Sequence, residues 1–175
     1  MPYDPNRHHR QSIRLRGYDY TQPGTYFVTI CTHARQLLFD NPALRRIAEQ
    51  QWQRIASERV TLNAWVVMPD HVHGIIVITS SNATPSDDAS PVLGINVKPG
   101  SLGAIVRSYK ASVTRRAHRF QATAELIWQG GYWERIMRSD DELAATRAYI
   151  AENPLRWAEE REDLDALLAP MEGKA

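Results

Sequence analysis

Four stretches of the chain concentrate apolar residues in the manner of strands, and the segments between them repeat apolar positions every three or four residues. Tyr26 to Thr32 (YFVTICT) is rich in β-branched and aromatic side chains, which suit a pleated, half-buried surface. Val60 to Met68 predicts a second strand, Pro69-Asp70 a turn, and His71 to Ile78 (HVHGIIVI) a third strand. After His73 that third strand is apolar on both faces, so it belongs in the middle of its sheet. Tyr132 to Met137 predicts a short fourth strand.

The helical signals fall between these stretches. Asn41-Pro42 opens a helix with proline in its first turn, and Leu44, Ile47, Ala48, Gln51 and Ile55 recur along it to about Ser57. Ser101 is a candidate N-cap for a second helix, striped by Leu102, Ile105, Val106, Tyr109 and Val113. Ser139 and Glu142 form a capping box for a helix from about 140 to 152, which Pro154 is expected to end. A final acidic helix is expected over roughly 155–168. Residues 1–24 read as irregular, and residues 79–100 as a mobile loop rich in Ser, Asn, Asp, Pro and Gly. The order strand, helix, strand, strand, helix, strand, helix predicts an α+β fold. Its frame is a ferredoxin-like split βαβ antiparallel sheet with two helices on one face. The helix from 140 to 152 is extra to that plan and must pack elsewhere on the sheet.

Composition adds bounds. A chain of 175 residues with 43% hydrophobic and 23% charged residues suits one soluble domain with a sizeable core. No apolar run approaches the roughly 20 residues a membrane span needs, and no secretory signal is visible, so a cytoplasmic protein is expected. Cys31 is the only cysteine, which excludes an intrachain disulfide and a thiolate cluster; among Phe27, Val28 and Ile30 it reads as a small packed hydrophobe. The net charge of +1 hides an uneven distribution. Residues 1–35 hold five arginines against Asp4 and Asp19, and residues 101–138 hold seven basic residues against Glu125 and Glu134. Residues 139–175 hold ten acids against four basic residues. Such a division can make one cationic face, or it can be solvated charge with no partner.

Two residues stand out chemically. His71 and His73 are i and i+2 in a strand, so both imidazoles emerge on one face. Such a pair can hold a divalent cation through neutral ring nitrogens, or it can be two unrelated histidines at a strand end. The apolar company favours a ligand, because a buried polar group left unsatisfied costs about 1–3 kcal/mol. Tyr149 and Asn153, one turn apart, would share a helix face, offering a hydroxyl and an amide oxygen as a third ligand. Asn153 precedes Pro154, which tends to push it out of helical geometry. A phenol with a pKa of about 10 is a poor nucleophile unless a cation polarises the group it attacks. Taken alone, Tyr149 reads as a packed or hydrogen-bonded tyrosine sooner than as a nucleophile. Tyr109 and Tyr132 are its rivals, the first assigned to the core and the second to packing or base stacking.

The segments NAWVVMPDHVHGIIVI (63–78), WQGGYWERIMR (128–138) and RAYIAENPLRW (147–157), with IRLRGYDYTQPGTYFVTICT (13–32), resemble REP-associated tyrosine transposases. These belong to the HUH single-strand nuclease superfamily and are similar to single-tyrosine insertion-sequence transposases. The resemblance spans most of residues 12–157 and implies a nuclease domain over 25–157, after a basic segment 1–24 and before an acidic helix and tail at 158–175. It implies His71 and His73 as metal ligands with Asn153 as a polar third, Mg²⁺ or Mn²⁺ as the ion, and Tyr149 as catalytic nucleophile. It further implies cleavage and rejoining of single-stranded DNA beside REP-like hairpins through a 5′-phosphotyrosine link. Gly130, where the family usually has Arg, and Arg135, where many members have His, depart from the pattern. Arg14, Arg16, Arg107, Lys110, Arg115, Arg116 and Arg119 are the candidate phosphate contacts, and Trp65, Trp128, Trp133 and Trp157 candidate stacking surfaces. A monomer or a homodimer fits equally. The competing readings are a catalytically silent single-strand-binding domain on the same fold and a metal hydrolase that uses water.

Overall fold

The computed structural model describes residues 18–79, 98–123 and 126–172, the last ten in backbone only. Arg14, Arg16, the rest of the segment 1–17 and most of the 79–100 loop lie outside the described residues. Strand β1 (Gly24–Cys31) pairs antiparallel with β3 (His71–Ile78) on one side and β4 (Trp133–Met137) on the other. Strand β2 (Val60–Met68) pairs with the free side of β3. The sheet order β2-β3-β1-β4 is that of a split βαβ fold, and β3 is central, as its apolar run predicts.

Helices α1 (Pro42–Gln53) and α2 (Leu102–Arg119) cover one face. Asn41 caps α1 by accepting from the Ala43 and Leu44 N–H groups at 2.9 and 3.3 Å, and Pro42 occupies the first turn, where its missing N–H costs nothing. Ser101 caps α2 through the Ala104 N–H. Alternation puts Tyr26, Val28 and Ile30 of β1 with Val72, Ile76 and Ile78 of β3 beneath these helices, all 2% exposed or less. Gly74 admits the Trp52 indole against the strand: a Cβ there would lie 2.1 Å from Trp52 Cζ2. Tyr109 packs edge-on to Trp52 at 5.0 Å and donates to the Ala48 carbonyl, so it is a core residue as expected.

The third helix differs from expectation. In place of two helices broken at Pro154, one helix, α3 (Asp140–Glu172), runs through the proline and across residue 157. Pro154 lacks the N–H that the Ile150 carbonyl would accept, a local defect worth about 3 kcal/mol in a helix interior. Burial in the turn before it outweighs this cost: Ile150 is 3% exposed and Asn153 9%. At its start, Glu142 N–H donates to Ser139 Oγ, while the Glu142 carboxylate accepts from the Arg138 N–H, one residue earlier than the usual capping box partner. Other bounds shift by a few residues, among them the start of β1 to Gly24 and of β4 to Trp133. Helix α1 stops at Gln53 because a tight Ser57–Val60 bridge turns the chain into β2, and Thr32 leaves β1 to bridge Trp128. No described helix is long and apolar enough to cross a membrane.

Candidate active site

Helix α3 covers the other face of the sheet, which carries Phe27, Thr29 and Cys31 of β1, His71, His73 and Ile75 of β3, and Arg135 of β4. The i, i+2 spacing does what alternation requires: His71 and His73 share this face, their ring centroids 4.3 Å apart and each residue 5% exposed. Their Nδ1 atoms are engaged. His71 Nδ1 meets Asp70 Oδ1 at 2.5 Å, and His73 Nδ1 meets Thr29 Oγ1 at 2.9 Å. That leaves the Nε2 atoms for other chemistry. His71 Nε2 is buried with no hydrogen-bond partner, and His73 Nε2 lies 3.3 Å from the Tyr149 hydroxyl.

Tyr149 stands over His73 with ring centroids 5.3 Å apart and meets Phe27 edge-on at 6.2 Å. Two turns on, Trp157 lies 6.2 Å from His71, centroid to centroid. Asn153 is midway between these two aromatic residues on the same helix face and is buried, so α3 presents phenol, amide and indole in turn over the histidine pair. The strain expected of a residue before proline is not taken up here, because α3 keeps its helical path. Beside Tyr149 opens a cavity of about 330 Å³ lined by Phe27, Arg135, Glu142, Ala145, Thr146 and Tyr149.

Burial depresses both imidazole pKa values. For His71 burial outweighs the upward pull of Asp70. His73 is pushed down to about 3, by burial first and then by His71 and Arg35. Both rings are therefore neutral at neutral pH, the form that binds metal. The residues fit such an ion in three respects. Two neutral imidazoles share a face, the buried Nε2 of His71 is an orphan, and a second partner fixes each Nδ1 from behind. Among the described residues no group of three or more His, Cys, Asp or Glu could hold a metal; Asn153 is the buried amide on the overhanging helix.

The α2 basic residues are not brought to this site. Arg107, Arg115 and Arg119 are exposed on a helix packed against the opposite face, and Arg116 lies over the Phe120 ring at 5.4 Å. Lys110 is tied into the structure: its amine donates to the Gln129 carbonyl at 2.7 Å and to the Gly131 carbonyl, and burial lowers its pKa to about 8. Of the tryptophans, Trp128 is buried, Trp65 partly buried, and Trp133 is 60% exposed on the histidine face of β4. Cys31 is half-buried on the histidine face and accepts from Arg35 Nη1, so it is not the core hydrophobe its neighbours suggest. Sequence reasoning missed Thr29, Arg35 and Asp70; Asp70 carried a signal, a carboxylate directly before the first histidine. A cavity of about 670 Å³ on the helix side, lined by Gln51, Arg54, Arg59 and Ser108 among others, holds none of these groups.

No family model matches the chain. An uncharacterized protein of Haemophilus influenzae is 31% identical over 173 residues, covering 91% of this chain and 96% of that protein. A second protein of the same organism, provisionally named a REP-associated tyrosine transposase, is 22% identical over 138 residues, covering 79% of this chain and 74% of that protein. A solved structure described as a REP-associated tyrosine transposase bound to a REP hairpin shares the fold, with a TM-score of 0.53 and 23% identity over 82% of this chain and 74% of that one. The α+β sheet with a helix C-terminal to it is thus the fold of a transposase. The chain is similar in sequence to a protein named a REP-associated tyrosine transposase and shares the fold of another, and these likenesses support a transposase role.

Proposed function

We propose that the protein cuts and rejoins single-stranded DNA beside hairpins of REP-like repeats through a phosphotyrosine link to Tyr149. The observation that carries this reading is the 3.3 Å approach of the Tyr149 hydroxyl to His73 Nε2 across 76 residues of sequence. The similar protein named a REP-associated tyrosine transposase and the hairpin bound in the similar structure point to the same substrate class. His71, His73 and Asn153 would hold a divalent ion, Mg²⁺ or Mn²⁺, whose charge polarises the scissile phosphate when bound.

The chain's own residues do the remainder. Tyr149 and the histidines come from one chain, so a single copy assembles the site. His73 Nε2, which here faces the phenol, is also the nitrogen that would be left to hold a cation, so Tyr149 would have to swing off it; its ring, 40% exposed beside the 330 Å³ cavity, has room to do so. The phenol loses its proton to water and its oxygen attacks phosphorus. The bond from phosphorus to the 3′ oxygen breaks, that oxygen leaves as a 3′-hydroxyl, and the 5′-phosphate stays on Tyr149. One phosphoester replaces another, so the stored bond lets a 3′-hydroxyl reverse the step. Arg107, Arg115, Arg116 and Arg119 contact stem phosphates and not the scissile one, because α2 lies across the sheet from Tyr149; Lys110, held by carbonyls, contributes less.

Incubation with Mn²⁺ and a labelled hairpin oligonucleotide from the source genome's repeats tests this reading. The expected result is a covalent adduct on a denaturing gel, absent in Tyr149→Phe. Cleavage without adduct identifies a hydrolase that uses water, and binding without cleavage a silent DNA-binding domain.

A further inference from the structure

The described residues hold one buried carboxylate beside the histidine pair, and its two oxygens face different partners. Asp70 is 3% exposed in the turn between β2 and β3. Its Oδ1 meets His71 Nδ1 at 2.5 Å, and its Oδ2 meets Arg35 Nε at 2.8 Å. Its backbone carbonyl accepts from the Thr32 N–H at 2.9 Å, which pins the turn from behind. Arg35 reaches Asp70 from a 3-10 turn (His33–Arg35) in which Ala34 and Arg35 have φ of 50° and 58°. Two successive residues with side chains in the left-handed region are strained, and such strain persists where the surroundings hold it. Here the turn aims one guanidinium at both Asp70 and Cys31 Sγ, the latter at 3.0 Å.

From this geometry we infer that Asp70, braced by Arg35, is a positioning residue that locks His71 in the tautomer with its proton on Nδ1 and its lone pair on Nε2. An ionised carboxylate only accepts hydrogen bonds, so the nitrogen facing it must carry the hydrogen. The lone pair then lies on the buried, unpartnered Nε2. His73 is held differently. Its Nδ1 faces the Thr29 hydroxyl, which can donate or accept and so dictates no tautomer. Arg35 gives Asp70 a countercharge, so the carboxylate orients His71 without placing an unbalanced negative charge beside the phosphate. The pair is thus asymmetric, with one histidine locked and the other, under Tyr149, adjustable.

This inference rests on the proposed metal site for its consequence but not for its geometry, so two readouts separate them. In the metal-free protein, ¹⁵N spectra of the imidazoles read the His71 tautomer, and the signal of free Mn²⁺ in electron paramagnetic resonance reads affinity. Asp70→Asn keeps the shape of the side chain, yet its amide cannot accept from both His71 and Arg35. We expect the Nδ1–H tautomer in the native protein, a tautomer mixture in Asp70→Asn, and Mn²⁺ binding weakened about 10- to 100-fold. Arg35→Gln, a change at a half-exposed side chain, gives a smaller weakening of the same sign and serves if the Asp70 variant does not fold. The inference is overturned by an Nε2–H tautomer in the native protein, or by folded Asp70 and Arg35 variants that bind Mn²⁺ as tightly as native. Native protein that binds no Mn²⁺ while keeping the Nδ1–H tautomer sinks the metal reading and leaves the positioning role of Asp70 standing.

Discussion

The two faces of one sheet are built to opposite rules. Beneath α1 and α2 the strands present Tyr26, Val28, Ile30, Val72, Ile76 and Ile78, which pack with Trp52, Val106 and Tyr109 as continuous apolar core. Beneath α3 the same strands and the β2–β3 turn hold two buried imidazoles, a buried carboxylate and a half-buried threonine hydroxyl, with Met68, Ile75, Met137 and Ile150 around them. The first face is stabilised by contact area. The second keeps an orphan nitrogen and a depressed histidine pKa, which cost stability and are retained where chemistry needs them. A substitution should therefore damage either folding or chemistry according to the face it touches.

The largest separation is expected at Tyr149→Phe. Adduct formation should disappear, while stability to urea falls by only about 1 kcal/mol, the cost of one long hydrogen bond to His73 Nε2 from a partly exposed ring. Trp52→Ala should do the reverse. Emptying a fully buried indole site costs about 3–5 kcal/mol by denaturant titration, with activity per folded molecule kept at low temperature.

A pH titration of the metal-free protein gives an intermediate effect. His73 has its folded pKa at about 3, below its unfolded value near 6.5, so the unfolded chain binds the extra proton. Its contribution is present above about pH 6.5 and is lost as pH falls toward 3; His71, shifted in the same direction, adds to it. Unfolding free energy measured from pH 7 down to 4 should fall, and His73→Phe should flatten the slope. Arg161→Ala, which breaks an exposed 3.2 Å pair between α3 and Asp40, should change stability by no more than about 1 kcal/mol.

Legibility from the sequence followed the range of the interactions. Strands β2 and β3 begin and end where alternation puts them, and helix α2 begins at its Ser101 cap, because those signals are local. The shared face of His71 and His73 was legible for the same reason. The meeting of Tyr149 with that face was carried by resemblance, since no local rule relates residues 76 positions apart. Pro154 misled, because its local cost was visible while the burial of Ile150 and Asn153 against the sheet was not. Arg35 was hidden more deeply: nothing in a His-Ala-Arg run announces two left-handed residues that swing a guanidinium onto Asp70. The α2 arginines were read as candidate phosphate contacts, but helical periodicity does not say which face of the sheet the helix covers.

Peptide mapping by mass spectrometry of protein reacted with a hairpin oligonucleotide tests the convergence of phenol and imidazoles most directly. The mass of a 5′-phosphorylated nucleotide should fall on the peptide containing Tyr149, and it should vanish from the reaction of His73→Ala. Nucleotide on Tyr109 or Tyr132, or an undiminished Tyr149 adduct in His73→Ala, would contradict the account.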